Sequence, residues 1–235
     1  MNLTQHSAYL YRLTHYGVIN CYLVPEEDGL TLVDTGISGT APLIQEAVQS
    51  LAQPLRRIVL THAHGDHAGG LDALHALFPA AEVLISARDG RFLRGDLTLD
   101  EHEPQVKLRG GFPAVQTRPT RLLEDGDRVG SVRAVSSPGH TPGHMAFLDT
   151  RDQTLIAGDA LQTLGGLAVS GQLRGRFPLI ALFTWHAPTA LESARTLAAL
   201  NPTRLAVGHG PVLERPTEAM RRVTKTFTRR LESGR

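Results

Sequence analysis

Only one cysteine, Cys21, occurs among the 235 residues, so no intrachain disulfide can form. Its place in the apolar run VINCYLV marks it as a buried structural residue. Excess charge of one sign is also missing. The 24 Lys+Arg oppose 23 Asp+Glu for a net charge of +1, so neither a nucleic acid nor an acidic membrane surface is demanded as a partner. No apolar stretch reaches membrane-spanning length, and MNLTQHSAYLYR lacks the basic-then-apolar layout of a secretory leader. A soluble cytoplasmic protein acting on a small molecule, without nucleic acid or membrane, is therefore expected. A homo-oligomer is left open and nothing indicates one. The lipase-type pattern G-x-S-x-G is absent, which removes the usual serine nucleophile. A 41% hydrophobic and 20% charged composition leaves ample material for a core, and the length suits one domain spanning 1–235.

Periodicity orders the chain. Strands are predicted at 7–15, 19–26 and 30–36, then a helix from Pro42 to about Leu51. The apolar run in RRIVLTH (56–62) reads as a strand buried on both faces. A helical pattern through Leu71, Leu74, Leu77 and Phe78 follows, then the strand EVLISA (82–87). Residues 88–119 are polar and rich in Pro and Gly and receive no assignment. TRLLEDGDRVG predicts a hairpin around Asp125-Gly126. Strands are then expected at 132–139, 144–150, 154–161 and 205–210, with helices at 186–200 and from Pro216 to about Leu231. This order predicts an α/β chain of two packed sheets with helices outside.

One stretch stands out. THAHGDHAGG (61–70) packs three histidines and an aspartate into six positions at the end of a strand, where α/β sites collect. The pattern H-x-H-x-D-H should arise by chance about once in a thousand such chains. A metal needs further ligands, and a catalytic ion leaves one position for water. Three other strand ends offer them: SSPGHTPGH with His140, LIAGDAL with Asp159, and LAVGHG with His209. His62 and His64 are two apart and point the same way in extended backbone, whereas Gly65 permits a turn that aims Asp66 and His67 elsewhere. That suggests two metals. His62, His64 and His140 would hold one, Asp66, His67 and His209 the other, with Asp159 bridging them.

THAHGDH, PGHTPGH, AGD and GHG, in this order with LVDTG upstream, resemble the metallo-β-lactamase-fold hydrolases over nearly the whole chain. The resemblance implies an αββα sandwich of two mixed sheets flanked by helices, with the metals at one edge. It implies the same seven ligands, His62, His64, Asp66, His67, His140, Asp159 and His209. Asp34 matches the aspartate that buttresses the histidine loop. Two divalent ions are expected, zinc foremost, since manganese, iron and cobalt accept the same ligands. A shared water whose pKa falls from 15.7 to about 7 would supply hydroxide, and Asp66 would pass a proton to the leaving group. His144 is expected to support the site without binding metal, and His75 to lie on a helix surface. His6, His15, His102 and His186 carry no motif. Phe183 and Trp185 are expected to pack the following helix. The loop 161–177 is expected to form an apolar acyl pocket with Arg174 and Arg176 at its rim.

Within the resemblance, true β-lactamases carry Cys or Ser where Asp159 stands, and the nucleases add a large domain and a basic surface. The glutathione thioesterases add a helical domain after the last histidine, where 26 residues remain here (235 less 209). The lactonases place a tyrosine just beyond the bridging aspartate, where this chain has Ala160, Leu161 and Gln162. The expectation is hydrolysis of a small carboxylic ester, thioester or lactone. An iron-dependent oxidoreductase and a phosphodiesterase are the alternatives.

Overall fold

The computed structural model describes residues 2–175 and 177–233. Seven strands form the first sheet in sequence order: β1 (Asn2–Ser7), β2 (Leu10–His15), β3 (Ile19–Glu26), β4 (Gly29–Val33), β5 (Leu55–Val59), β6 (Glu82–Ser86) and β7 (Arg121–Leu123). The first four pair antiparallel, and β4 to β7 pair parallel. Parallel neighbours need crossovers. These contain α1 (Ala41–Ser50), the short α2 (Gly65–Ala68) with α3 (Leu71–Leu77), and α4 (Asp89–Leu93).

The second sheet comes from the other half of the chain. It holds β8 (Arg128–Val129), β9 (Val132–Ser136), β10 (Met145–Asp149) and β11 (Thr154–Ile156), while β12 (Leu161–Gln162) and β13 (Ala168–Val169) make a separate ribbon. Helices α5 (Leu179–Phe183) and α6 (Ala187–Ala199) precede β14 (Arg204–Ala206) and β15 (Leu213–Glu214), and α7 (Thr217–Glu232) follows them. The order across this sheet is β15-β14-β11-β10-β9-β8, with β11 and β14 parallel.

Side-chain alternation builds the layers. Along β3, Cys21 and Leu23 face outward onto Ile44 and Val48 of α1 and Leu71 and Leu74 of α3, in one buried cluster. Tyr22 and Val24 face the other way, joining Val33, Val59 and Leu84 against Val132, Phe147 and Ile156 of the second sheet. A third cluster packs Leu155 and Leu205 beneath Leu191, Ala194 and Leu197 of α6 and Met220, Val223 and Phe227 of α7. Helix, sheet, sheet, helix: the fold is an αββα sandwich. Burial raises the Cys21 thiol well above its ordinary value and keeps it protonated.

Two local expectations change. The stretch TRLLEDGDRVG is not a hairpin, because β7 pairs with β6 and β8 with β9, so this turn carries the chain from one sheet to the other. Strand β1 was not expected, since NLTQHS is polar; it is held by its pairing with β2 at the sheet edge. Among the described residues, no helix is long and apolar enough to cross a membrane.

Candidate metal centre

Strands β4, β5, β9, β11 and β14 all end at one edge of the sandwich, and the loops that follow carry Asp34, the His62–His67 segment, His140, Asp159 and His209. All seven predicted side chains meet there, in two groups. His62, His64 and His140 form one, and Asp66, His67, Asp159 and His209 the other, each group's ligand atoms lying within 4.8 Å of one another. Asp159 lies between them. Its Oδ2 is 3.4 Å from His140 Nε2 and 3.3 Å from His209 Nε2, while Oδ1 is 3.4 Å from His67 Nε2. Asp66 Oδ2 is 3.2 Å from His209 Nε2.

The remaining ring nitrogens show which atoms are free for a cation. Asp34 accepts from His67 Nδ1 at 2.8 Å and from the Thr61 hydroxyl at 2.9 Å. With its proton given to Asp34, the Thr61 oxygen accepts from His62 Nδ1 at 3.0 Å. His64 Nε2 donates to the Arg109 carbonyl at 2.9 Å, and His209 Nδ1 to the Val18 carbonyl at 2.8 Å. His140 Nδ1 heads a chain through Ser170 Oγ and Thr184 Oγ1 to the Ile180 carbonyl. Such partners fix the tautomer of a ligating histidine. Each ring thus commits its outward nitrogen and turns the other inward, where a cation can take it; the inward nitrogens of His64 and His140 lie 2.9 Å apart. His62 Nε2, His67 Nε2 and Asp159 Oδ1 are buried there with no hydrogen-bond partner. Buried polar atoms without partners are costly, and a divalent cation that displaces any proton there satisfies all three. The donor set fits the ions expected of it.

Electrostatics divide the rings: against its burial, Asp159, Asp34 and Asp66 hold His67 well above its ordinary value, so a metal there displaces a proton. Burial, reinforced by neighbouring histidines, holds His62 and His140 well below their ordinary value, so both are neutral. At His209 burial acts downward, but Asp159 and Asp66 outweigh it and raise the imidazole to about 10 when no cation is present. A metal there must displace a proton. His144 has both nitrogens engaged: Nε2 accepts from the Asp159 amide at 3.1 Å, and Nδ1 donates to Ser137 Oγ at 2.8 Å. It holds the backbone that carries Asp159. Burial pushes its pKa down to about 3.

Several contributors were not foreseen. Asp89, in the unassigned segment, is fully buried. Its carboxylate accepts from Ala63 N at 3.0 Å, Thr141 Oγ1 at 2.6 Å and Gly143 N at 2.7 Å. It thereby ties the first histidine loop to the His140 loop. A polar residue just past the strand β6 was the available signal. The Arg109 carbonyl and the Gly110–Gly111 turn also come from this segment. Gly110 has φ +86, and a Cβ there would meet His64 Nε2 and lie 2.7 Å from its Cε1. Asn20 binds the Val207 and Gly210 carbonyls at 2.9 and 2.8 Å, locking the His209 loop to β3.

A cavity of about 120 Å³ opens onto Asp66, Asp159 and His209. Its apolar wall is Val18, Ile19, Phe177, Leu179, Ile180 and Phe183. Phe183, expected to pack the following helix, lines the cavity, and among the described residues of the loop 161–177 only Phe177 reaches it. Arg174 donates to the Leu167 carbonyl within its own loop, and Arg176 lies outside the described residues.

Two mixed sheets between helices, with histidines and aspartates meeting at their carboxyl edge, define a metallo-β-lactamase fold. The chain belongs to the metallo-beta-lactamase superfamily, whose sequence profile matches residues 16–209. It is 49% identical over 225 residues to the protein YobT of Bacillus subtilis (strain 168), covering 94% of this chain and 96% of that one. It is 29% identical over 199 residues to the atrochrysone carboxyl ACP thioesterase of Aspergillus fumigatus, covering 83% of this chain but 38% of the fungal protein. Among solved structures it resembles TTHA1623 in a di-iron-bound form, with a TM-score of 0.65 and 28% identity, over 88% of this chain and 94% of that chain.

Proposed function

We propose that the protein is a binuclear metal-dependent hydrolase of a small carboxylic ester, thioester or lactone. The observation that carries this reading is the position of Asp159, whose Oδ2 lies within 3.4 Å of a histidine nitrogen from each group. His62, His64 and His140 would hold one divalent ion, Asp66, His67 and His209 the other, and Asp159 both. Two such ions, zinc foremost, supply Lewis acidity toward a substrate oxygen and lower the pKa of water to about 7. The chain's own groups do the rest. Val18, Ile19, Phe177, Ile180 and Phe183 exclude bulk water and receive an acyl group. At roughly 30 Å³ per water in the liquid, the cavity admits only a short acyl chain. Asp66 faces the cavity with its side chain 37% exposed, placed to take the proton of the attacking water and return it to the leaving group. Water adds to the acyl carbon, the carbon–oxygen or carbon–sulfur bond breaks, and the leaving oxygen or sulfur receives that proton.

The similarity to a fungal thioesterase supports acyl chemistry. The similarity to a di-iron-bound structure supports iron as an alternative to zinc at these residues, and with it a second reading, iron-dependent redox chemistry. A panel of aryl esters, thioesters, lactones, phosphodiesters and cephalosporins, offered to the metal-loaded protein, separates the hydrolytic outcomes, and hydrolysis of none of them would favour the redox reading. Carboxylic esters, thioesters or lactones should lead. Phosphodiesters leading by orders of magnitude would overturn the acyl reading.

A further inference from the structure

The cavity of about 120 Å³ beside Asp159 has room for an acyl group but not for a long leaving group as well, so a leaving group longer than a few atoms extends out of it. One feature adjoins it directly. A groove of about 700 Å³ runs between the 106–110 and 181–187 segments, within the size range of small-molecule sites. Phe183 lines both the groove and the cavity. The groove is also joined to the centre through the backbone. The Arg109 carbonyl accepts from His64 Nε2 at 2.9 Å, and the Trp185 amide donates to the His140 carbonyl at 3.0 Å. One wall is apolar: Leu182 is 50% and Phe183 44% exposed, beside the buried Trp185. The other carries Lys107 and Arg109, both solvent-exposed. Among the described residues neither forms an ion pair, and the Arg109 guanidinium has a single partner, the Leu182 carbonyl at 3.4 Å. His186 stands on the same groove and is half-buried.

We infer that this groove is the leaving-group subsite and selects acyl esters or thioesters whose leaving group carries an anion, such as a phosphate, on an otherwise apolar arm. The inference rests on the acyl-hydrolase reading for its substrate class. The apolar wall receives the arm, and the two unpaired cations receive the anion without first breaking an internal salt bridge. Because both cations are exposed, each contributes modestly and their effect is screened by salt.

Two acetyl thioesters that differ only in the leaving group test this on the metal-loaded protein: that of neutral N-acetylcysteamine and that of the phosphate-bearing coenzyme A. The ratio of kcat/KM, anionic over neutral, should fall about tenfold in Lys107→Ala/Arg109→Ala, because two exposed charge contacts are lost together. It should be restored in Lys107→Arg/Arg109→Lys, and it should fall in the unaltered protein at about 1 M salt. These substitutions keep the main-chain carbonyl that His64 uses. In parallel, calorimetry with desulfo-coenzyme A, which has no thiol to bind metal, should show the same loss of affinity in the alanine variant. A ratio and an affinity both unchanged by the alanine pair would overturn the inference, as would absence of binding to the unaltered protein. If neither thioester is cleaved but the affinity difference stands, the acyl reading fails and the anion subsite does not.

Discussion

Replacing Asp89 with asparagine has a pH signature that can be worked out from its surroundings. The carboxylate accepts three hydrogen bonds, two of them from the backbone amides of Ala63 and Gly143. In Asp89→Asn one oxygen remains, so at least one of those amides faces an NH₂ group. A buried donor left in this way costs about 1–3 kcal/mol, whereas the Thr141 hydroxyl can turn away. Acting against this loss, burial raises the carboxyl from 3.8 to about 6, even though its three donors favour the ionised form. That change corresponds to about 3 kcal/mol, at ~1.36 kcal/mol per pH unit. Because the folded value lies above the unfolded one, the stabilising contribution is full below about pH 4 and is lost as pH rises through about 6. The stability advantage of the unaltered protein over Asp89→Asn should therefore be greatest near pH 4 and shrink by about 3 kcal/mol by pH 7. Urea unfolding of both proteins in chelator across that range measures the difference directly, and subtraction cancels the other titrating groups. A difference that stays constant from pH 4 to 7 would refute the burial-raised carboxyl, and equal stability of the two proteins at every pH would refute Asp89 as the tie between the two loops.

Two further substitutions separate positioning from ligation. His144→Ala removes the acceptor of the Asp159 amide but no inward-facing nitrogen, so it should keep its bound metal while kcat falls about tenfold; metal loss as complete as in His140→Ala would show His144 to be a ligand. Gly208→Ala places a Cβ against Asp159 Oδ1 and 2.6 Å from His67 Cε1. It should lower metal affinity by at least about tenfold, read by competition with a chromogenic chelator, and unchanged affinity would mean that these side chains have room to move.

What was legible in the sequence is what local pattern dictates. The ligand candidates follow apolar runs whose alternation sets the strands, and the Gly and Pro-Gly steps beside His140, Asp159 and His209 announce the turns that aim them. What was hidden depends on contacts distant in sequence. Asp89 lies 52 residues from Thr141, and Arg109 lies 45 from His64. Backbone carbonyls leave no trace in residue identity, so the acceptors at Arg109 and Val18 could not be foreseen. The polar β1 is held by its partner rather than by its own pattern. The turn after β7 shows the same limit: Asp125-Gly126 marks a reversal correctly, but only tertiary packing decides that its flanks join different sheets.

The central claim is that seven side chains hold two ions that act together. Elemental analysis of the purified protein, combined with activity measured as metal is added back to chelated samples, tests it directly. The account predicts about two divalent ions per chain, no hydrolysis after chelation, and activity that returns only as the second equivalent binds. Full activity at one ion per chain, or hydrolysis that survives complete removal of metal, would contradict it.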